Sequence, residues 1–466
     1  MITSIEIDGF KTFDAFKVEL APFQVIVGVN GVGKSNLFDA LRLLSSLAEK
    51  ELHTSFLEQR GEARELFTTL PGGSTVFKMR LVVEMLIERQ VQDSLGENAT
   101  LRYNRLRYVL ELRRSTPLDR IYVHREYLRT IPEAEDEWAK KYGLSSENGW
   151  LLPSSKRHYF IYTVSKESER PRTIILRRER GIKARARRIS DIDKLERTML
   201  SSVTEVSYPH VFAAREELRK WKFLQLDAQA LRKPGKMFVP PYLAEDGANL
   251  PTVLNRMNLA GGEEEPYFLG NVARDLANLV PGLIGLEIDA DNEQERYHIK
   301  AKTQDGRTFN TRVLSDGTLR MLALATLKND PQLAGLLCLE EPENGVHPAC
   351  FKYLTHMLHL MVTDFTDPEQ QQEPLRQLLI NTHSPTFVSQ EDAITNLLVA
   401  YIVSAFHGNG TKVPMRVTRM EPVVTDRTKQ TGAIRPEQAY TLSQVLQYLN
   451  GADLNRARHR LEEVRH

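Results

Sequence analysis

Cysteine is scarce in this chain of 466 residues, and the few cysteines present do not cluster. Only Cys338 and Cys350 occur, and neither belongs to a C-x-x-C or Cys/His group. This spacing argues against both a disulfide framework and a structural zinc site. A reducing compartment is the natural setting for such a chain, and we therefore expect it in the cytoplasm.

An excess of charge of one sign and long apolar runs are missing as well. The chain has 62 Lys and Arg residues and 61 Asp and Glu residues, so the formal net charge is +1. No global field then draws the chain to nucleic acid or to an anionic membrane. No apolar stretch reaches the roughly 18 residues of a membrane span. The N-terminus alternates like a strand and does not resemble a signal peptide, so we expect no membrane partner.

What the chain does contain is an alternation of short apolar strands with helical segments. The apolar runs at Phe23–Val27, 336–339 and 378–380 predict buried strands, and helical spacing follows at 36–44 and 318–327. This order predicts an α/β fold whose main sheet is parallel and covered by helices. Alternating segments from about Lys78 to Tyr208 predict an antiparallel β lobe that carries an inserted α+β region, whose polar part near 132–141 is expected to be exposed.

The first chemical motif is a glycine-rich loop between a predicted strand and a predicted helix. It reads Gly28-Val-Asn-Gly-Val-Gly-Lys-Ser35, which has the spacing of a P-loop. Glycines let backbone N–H groups wrap phosphates, Lys34 reaches the β- and γ-phosphates, and the Ser35 hydroxyl ligates Mg²⁺. The predicted contacts to ATP are Asn30, Gly31, Gly33, Lys34, Ser35 and Asn36.

The second motif is a pair of carboxylates at the end of the apolar run 336–339. Ligands of parallel sheets bind at the carboxyl ends of the strands. We therefore predict that Glu340 holds Mg²⁺ and that Glu341 orients and deprotonates the attacking water. The alternative is a strand that simply runs into an acidic surface turn.

Two further segments have weaker individual signals. Ser315 and Gly317 precede an apolar helix, where a hydroxyl and backbone N–H groups can meet a phosphate. Taken alone, the segment favours the alternative of a plain N-cap, because Ser and Asp are common caps. His383 follows the strand 378–380 and can contact a γ-phosphate, which makes it a catalytic candidate beside Lys34 and Glu341. A structural histidine before proline is the alternative.

The order of the four motifs resembles ABC-type ATPase heads, and within them the relatives of RecF, SMC and OLD proteins, labelled AAA-15 or AAA-21. The segments that carry the resemblance are 33–36, 314–318, 340–348, 382–385 and 246–250. It implies a Mg²⁺-dependent ATPase in which two heads enclose two ATP molecules. Ser315 and Gly317 would then cap the γ-phosphate held by the partner's P-loop, Asn344 would lie at the dimer seam, and His383 would be the switch histidine.

The chain departs from the usual pattern at three positions. Asp316 and Thr318 stand where the signature has Gly and Gln, and Glu340 stands where the Walker B pair begins with Asp. The Q-loop glutamine has only two candidates from sequence, Gln90 and Gln92. The resemblance divides the chain into four parts: an N-terminal half of the head at 1–85, an inserted lobe at 86–209, a C-terminal half at 210–425, and a tail at 426–466.

Two basic tracts raise the question of nucleic acid. One spans Arg177 to Arg188, and the second comprises Arg102, Arg105, Arg107, Arg113 and Arg114. Either can contact phosphates of double-stranded DNA, and either can be a solvated β face balanced by local acids. A protein partner that uses the same surface is a further alternative.

Three functions follow from the resemblance. The favoured one is the ATPase switch of a prokaryotic defence complex, which works as a homodimer or higher homo-oligomer with a separately encoded effector such as a nuclease. The alternatives are a RecF-like ATPase that clamps DNA during repair and a nucleotide-binding subunit of a transporter. The sequence shows neither long heptad repeats nor a nuclease motif, and the residues after His383 are too few for a TOPRIM domain. We therefore expect that the chain alone does not cut DNA.

Overall fold

A computed structural model gives the fold and describes residues 1–115, 120–164, 172–177, 179, 186–240, 242–260, 267–280, 282–406, 413–424 and 440–449. Its strands, numbered along the chain, are β1 (Ile2–Asp8), β2 (Phe16–Glu19), β3 (Phe23–Val27), β4 (Lys78–Leu86), β5 (Gln90–Gln92), β6 (Asn98–Thr100), β7 (Arg105–Ser115), β8 (Arg120–Thr130), β9 (Tyr159–Val164), β10 (Thr173–Leu176), β11 (Arg187–Ser190), β12 (Lys222–Leu224), β13 (Gly235–Lys236), β14 (Leu283–Asp291), β15 (Arg296–Thr303), β16 (Thr308–Asn310), β17 (Gly335–Glu340), β18 (Arg376–Thr382), β19 (Leu397–Ala405), β20 (Met415–Val424) and β21 (Tyr440–Thr441). Its α-helices are α1 (Lys34–Leu47), α2 (Leu52–Leu57), α3 (Glu137–Lys141), α4 (Pro209–Arg219), α5 (Ala228–Leu231), α6 (Leu250–Ala260), α7 (Tyr267–Leu279), α8 (Asp316–Lys328), α9 (Phe351–His359), α10 (Pro385–Val388), α11 (Glu391–Ile394) and α12 (Leu442–Leu449).

A seven-stranded sheet holds the two halves of the chain together. Its order is β12-β17-β18-β3-β19-β20-β21, and the first five strands run parallel. Strand β20 pairs with β19 in the antiparallel sense. The central strands β3, β17 and β18 are buried almost throughout, which explains their continuous apolar runs. The predicted α/β class, with a mainly parallel main sheet, is confirmed.

The second large sheet has eight strands and is antiparallel. Its order is β11-β10-β9-β8-β7-β4-β1-β2, so the predicted antiparallel β lobe is confirmed. The sheet combines strands of the first segment of the chain with strands from the region that follows. A smaller sheet, β13-β15-β14 with β16 beside β15, and the hairpin β5-β6 complete the β structure of the described residues.

Helix α1 lies between the two large sheets. Its apolar residues share one core with inward-facing residues of both, among them Leu110 of β7 and Leu379 of β18. A second core covers the opposite face of the seven-stranded sheet and includes residues of α6, α7, α8 and α9. Each large apolar side chain buried in this way contributes about 1.5–3 kcal/mol. The helix that follows the glycine-rich loop is thus fixed on both flanks. Within the described residues, no helix has the length and apolarity needed to cross a membrane.

One local prediction requires correction. The segment 132–141 was expected to be exposed, yet Trp138 is only 3% exposed and donates from Nε1 to the carbonyl of Leu20 at 2.9 Å. A lone tryptophan among acids signals burial more strongly than the acids signal exposure. Helix α4 begins at Pro209, because proline suits the first turn of a helix.

One buried carboxylate links the eight-stranded sheet to the segment that follows the 3-10 helix Ile192–Lys194. Glu126 on β8 is fully buried. It accepts hydrogen bonds from the hydroxyl of Tyr108 at 3.0 Å and from the N–H groups of Met199 at 2.7 Å and Leu200 at 2.8 Å. Burial raises the pKa of Glu126 to about 7, although the backbone donors and Tyr108 act to lower it.

The raised pKa of Glu126 predicts a pH-dependent stability. The folded chain binds the proton more tightly than the unfolded chain, so this stabilising contribution is complete below about pH 4.5 and is lost as the pH rises towards 7. The loss amounts to about 3 kcal/mol of unfolding free energy. Chemical denaturation measures the free energy of unfolding at pH 5 and at pH 8. Between these two pH values, this free energy should decrease by about this amount more in the wild type than in Glu126→Gln. Equal pH dependence in the two proteins would contradict the assignment.

Candidate functional site

The glycine-rich loop connects β3 to α1, as predicted. Gly31 and Gly33 have φ angles of 81° and 98°, in the left-handed region that favours glycine. The buried Lys34 donates from Nζ to the carbonyls of Gly28 at 2.6 Å and Val29 at 3.1 Å. Burial lowers the pKa of Lys34, while the nearby carboxylates Glu341, Glu340 and Glu343 act to raise it. The ammonium thus lies inside its own loop and faces acidic groups.

A chain of hydroxyl contacts holds the loop from both sides. The Thr418 hydroxyl on β20 donates to the carbonyl of Val32 at 2.8 Å and lies 2.7 Å from the Thr12 hydroxyl. The Asn36 amide donates to Thr12 at 2.9 Å, so this predicted ATP contact has a partner within the protein. A Cβ at Gly33 would lie 2.2 Å from the Thr418 hydroxyl. Glycine at 33 is therefore required by close approach as well as by its φ angle.

The register of the parallel strands brings the second motif to the same edge. Glu340 ends β17 and is paired with Asn381 on β18, which is paired in turn with Ile26 on β3. The carboxyl ends of three strands that are far apart in sequence therefore coincide, two residues from the start of the loop at Gly28. Burial raises the pKa of Glu340, and Arg60, 4.0 Å away, acts to lower it.

Glu341 has an unusual backbone and a fully engaged carboxylate. Its φ angle is 48°, which costs a non-glycine residue about 1–2 kcal/mol. The Glu341 N–H donates to the carbonyl of Asn381 at 2.9 Å. Its Oε1 lies 2.6 Å from Nδ1 of His383, and its Oε2 accepts from the Asn344 amide at 2.7 Å. The structure therefore joins the predicted base, switch histidine and seam asparagine in one hydrogen-bonded group.

A buried carboxylate connects the two turns that carry Glu341 and His383. Glu343 is buried and accepts a hydrogen bond from the Thr382 hydroxyl, which in turn accepts the N–H of Ser384 at 3.0 Å. Burial raises the pKa of Glu343. The contact fixes the turn after β17 to the turn after β18, and these turns carry Glu341 and His383.

The segment 314–318 caps α8, as the N-cap interpretation of this segment predicts. Ser315 is the N-cap, and its hydroxyl accepts the N–H of Thr318 at 3.1 Å. Asp316 forms an ion pair with Arg232 at 2.6 Å. A Cβ at Gly317 would lie 2.0 Å from the carbonyl of Gly345, so the segment packs closely on the turn after β17. Among the described residues, no hydrogen bond or ion pair links 315–317 to the glycine-rich loop of the same chain.

One residue at this edge was missed by sequence reasoning. Gln225 directly follows β12, whose Leu224 is paired with Leu339 of β17, and its Oε1 accepts from Arg60 at 3.2 Å. Gln90 and Gln92 lie instead on the small hairpin β5-β6. Strand β12 has only three residues, too few for a periodic pattern, so the only available signal was a glutamine after an apolar pair.

Two arginines of the second basic tract, Arg105 and Arg107, are paired with acids of the same chain. Arg105 is buried and forms a double hydrogen bond with Asp136, with Nη2 to Oδ1 at 2.8 Å. Arg107 bonds Glu6 at 2.9 Å and also Glu84. For Arg105 and Arg107 the predicted contact with DNA is wrong, because Asp136 at the start of α3 pairs with Arg105, and Glu6 and Glu84 on neighbouring strands pair with Arg107. Of the tract from Arg177 to Arg188, residues 178 and 180–185 lie outside the described residues.

Several solved structures are similar to this chain. Solved structures that are similar to the chain include an SMC head bound to the C-winged helix domain of ScpA, with 13% identity, 92% of this chain and 99% of that chain covered, and a TM-score of 0.45. Another is the SMC head domain from Thermotoga maritima, with 12% identity, coverage of 91% and 99%, and a TM-score of 0.39. A third is the Smc head with an extended coiled coil from Pyrococcus furiosus, bound to the C-terminal domain of ScpA, with 12% identity, coverage of 93% and 98%, and a TM-score of 0.42.

No curated protein matches the sequence. A family model does match, over residues 23–389, and its description reads "AAA domain, putative AbiEii toxin, Type IV TA system". The match covers well over half of the chain and includes the glycine-rich loop, the carboxylate pair and His383. The chain therefore belongs to this AAA_21 family of nucleotide-binding ATPases.

Proposed function

We propose that the chain is an ATP-driven switch, in which two copies close around two ATP molecules and hydrolysis reopens them. The observation that carries the proposal is the contact of Glu341 with both His383 and Asn344. These three residues come from the turns after β17 and β18, beside the P-loop. One oxygen of Glu341 contacts His383, and the other accepts a hydrogen bond from Asn344. A ligand that contacts either side chain therefore changes the hydrogen bonds of the proposed base.

The proposed roles follow from this geometry. Lys34 exchanges the carbonyls of Gly28 and Val29 for phosphate oxygens of ATP, because a charged acceptor binds an ammonium more strongly than a neutral carbonyl does. Glu341 takes a proton from the attacking water once one of its oxygens is released. His383 is then free to contact the γ-phosphate, and Gln225 is the Q-loop glutamine at the edge of the site.

The polar groups beside the P-loop fit a magnesium ion. Ser35 and Glu340 would hold it, and the ion would neutralise charge on the phosphates. Hard oxygen ligands of this kind are the ones that magnesium prefers. The buried amide of Asn381, which is paired with Glu340 in the strand register, has no hydrogen-bond partner among the described residues, as a group facing a hydrated ion would.

A second copy is needed to complete each site in this proposal. Ser315 is exposed and caps its own helix, and no hydrogen bond in the described part of the chain connects it to the P-loop. A helix N-terminus attracts anions, so the end of α8 suits the γ-phosphate on a partner's P-loop. ATP then favours the closed dimer, because its phosphate makes contacts in that state alone.

The switch is proposed to control a separately encoded effector, such as a nuclease, in a prokaryotic defence complex. The family description, which names a toxin of a toxin–antitoxin system, supports a defence role. Direct clamping of DNA, the alternative function, has less support, because two arginines of the second basic tract, Arg105 and Arg107, are neutralised by Asp136, Glu6 and Glu84.

Glu341→Gln should separate ATP binding from hydrolysis. The amide keeps the size of the side chain but cannot take a proton, so turnover should fall by about 100-fold or more. ATP should remain bound and hold the dimer closed, which light scattering after gel filtration with ATP will detect. Hydrolysis at the wild-type rate in this variant would refute the assignment of Glu341 as the base.

Thr418→Val should weaken ATP binding although Thr418 is remote from the P-loop in sequence. Valine keeps the volume but removes the hydroxyl that bonds the Val32 carbonyl and Thr12. The loss of one such bond at a positioned loop predicts a decrease in affinity of about tenfold in calorimetric titration. Thr418→Ser is the matched control and should bind ATP normally. Equal affinity of the valine variant and the wild type would exclude a positioning role.

A further inference from the structure

Asn381 is a buried amide that the fold leaves without hydrogen bonds. Its side chain is 3% exposed, and neither Nδ2 nor Oδ1 has a partner among the described residues. Leaving a buried polar group unpaired destabilises a protein, so native structures rarely tolerate one without a functional reason. Both atoms of this one amide are unpaired, and Asn381 lies near the carboxyl end of the central strand β18.

The strand register shows which way this amide faces. Leu379, two residues earlier on β18, packs in the core that contains α1, whereas Leu378 and Ile380 pack in the core on the opposite face. Side chains alternate along a strand, so Asn381 faces α1. By the same alternation Glu340 faces α1 as well, since Cys338 belongs to that core.

Asn381 therefore stands between the carboxylate and the P-loop. Its neighbours across the strands are Glu340 on one side and Ile26 on the other, at the usual spacing of about 4.8 Å between strands. Ile26 is followed after one residue by Gly28, where the loop starts, and the loop leads to Ser35 at the first turn of α1. The amide thus lies beside Glu340 and faces α1, whose first turn carries Ser35.

A second buried amide on the same strand shows what a structural role looks like. Gln377 accepts the N–H of Ile2 at 2.8 Å and donates to the carbonyls of Ile2 at 2.7 Å and Ala21 at 3.0 Å. Its side chain is as buried as that of Asn381. Gln377 connects elements of the fold, whereas Asn381 connects none among the described residues.

We infer that Asn381 is a positioning residue for the divalent cation of the ATP site. Its amide hydrogen-bonds the hydration shell of the ion that Ser35 and Glu340 hold, and so orients that ion without ligating it directly. Groups that orient ligands and water around a metal in this way typically change metal affinity by about 10–100-fold when they are removed. The inference rests on the proposed ATPase function and adds a residue that the sequence motifs did not indicate.

The test uses the full chain and Mn²⁺ as the probe. Electron paramagnetic resonance measures Mn²⁺ binding in the presence of a non-hydrolysable ATP analogue, and calorimetry measures binding of the analogue alone in EDTA. Asn381→Leu, close in shape, should weaken Mn²⁺ binding about 10–100-fold and leave analogue binding in EDTA unchanged. Its Tm in EDTA should not fall, because no bond within the fold is lost. Asn381→Ala serves as a second variant if leucine prevents folding, with the same expected loss of Mn²⁺ affinity.

Gln377→Leu is the matched control, with the opposite expected pattern. Its Tm should fall, because three backbone groups lose their partner, and its Mn²⁺ affinity should stay within about twofold of the wild type. Wild-type Mn²⁺ affinity in Asn381→Leu would overturn the inference, as would a decrease in its Tm equal to that of Gln377→Leu. Failure of the wild type to bind the analogue at all would refute the proposed function itself, so the two failures are distinguishable.

Discussion

The parallel register of β17, β18 and β3 is the constraint on which the rest of the site depends. It aligns Glu340, Asn381 and Ile26 in one row across the sheet, and the P-loop, the carboxylate pair and His383 all leave the sheet next to that row. A slip of one residue would turn every side chain to the other face. The two apolar cores on opposite faces of the sheet make such a slip costly, because it would bury Glu340 among the leucines of the opposite core.

The stability of the cores offsets several unfavourable features at this edge. Lys34 and Glu343 are buried ionisable groups, Asn381 is an unpaired amide, and Glu341 has a left-handed backbone. Each costs folding free energy, and together they concentrate where ligands of parallel sheets bind. Such a concentration of unfavourable features is expected at a functional site. The hydroxyl contacts of Thr12 and Thr418 hold the glycine-rich loop in place.

Local patterns in the sequence predicted the strands and the helix that carry motifs. They did not predict features that depend on contacts between residues far apart in the sequence. The strands β3 and β17 and the helix α1 were recognisable, because continuous apolar runs and a glycine-rich turn are local signals. Strand β12 was not, since its three residues form a strand only beside β17, and Gln225 was missed with it. The burial of Trp138 and the neutralisation of Arg105 by Asp136 depend on contacts between distant segments. The order of motifs predicted Glu341 and His383 as separate site residues, whereas their mutual contact and the left-handed backbone of Glu341 were not foreseen.

The proposed switch depends on the completion of each ATP site by a second copy of the chain. Mixing two inactive variants tests it most directly. Lys34→Ala removes the P-loop lysine, and Ser315→Arg blocks the end of α8. In a 1:1 mixture, half of the dimers combine both variants, and each of these has one intact site, so ATP hydrolysis should recover to about a quarter of the wild-type rate. A mixture that stays inactive, or a Ser315→Arg variant that is fully active alone, would contradict the claim.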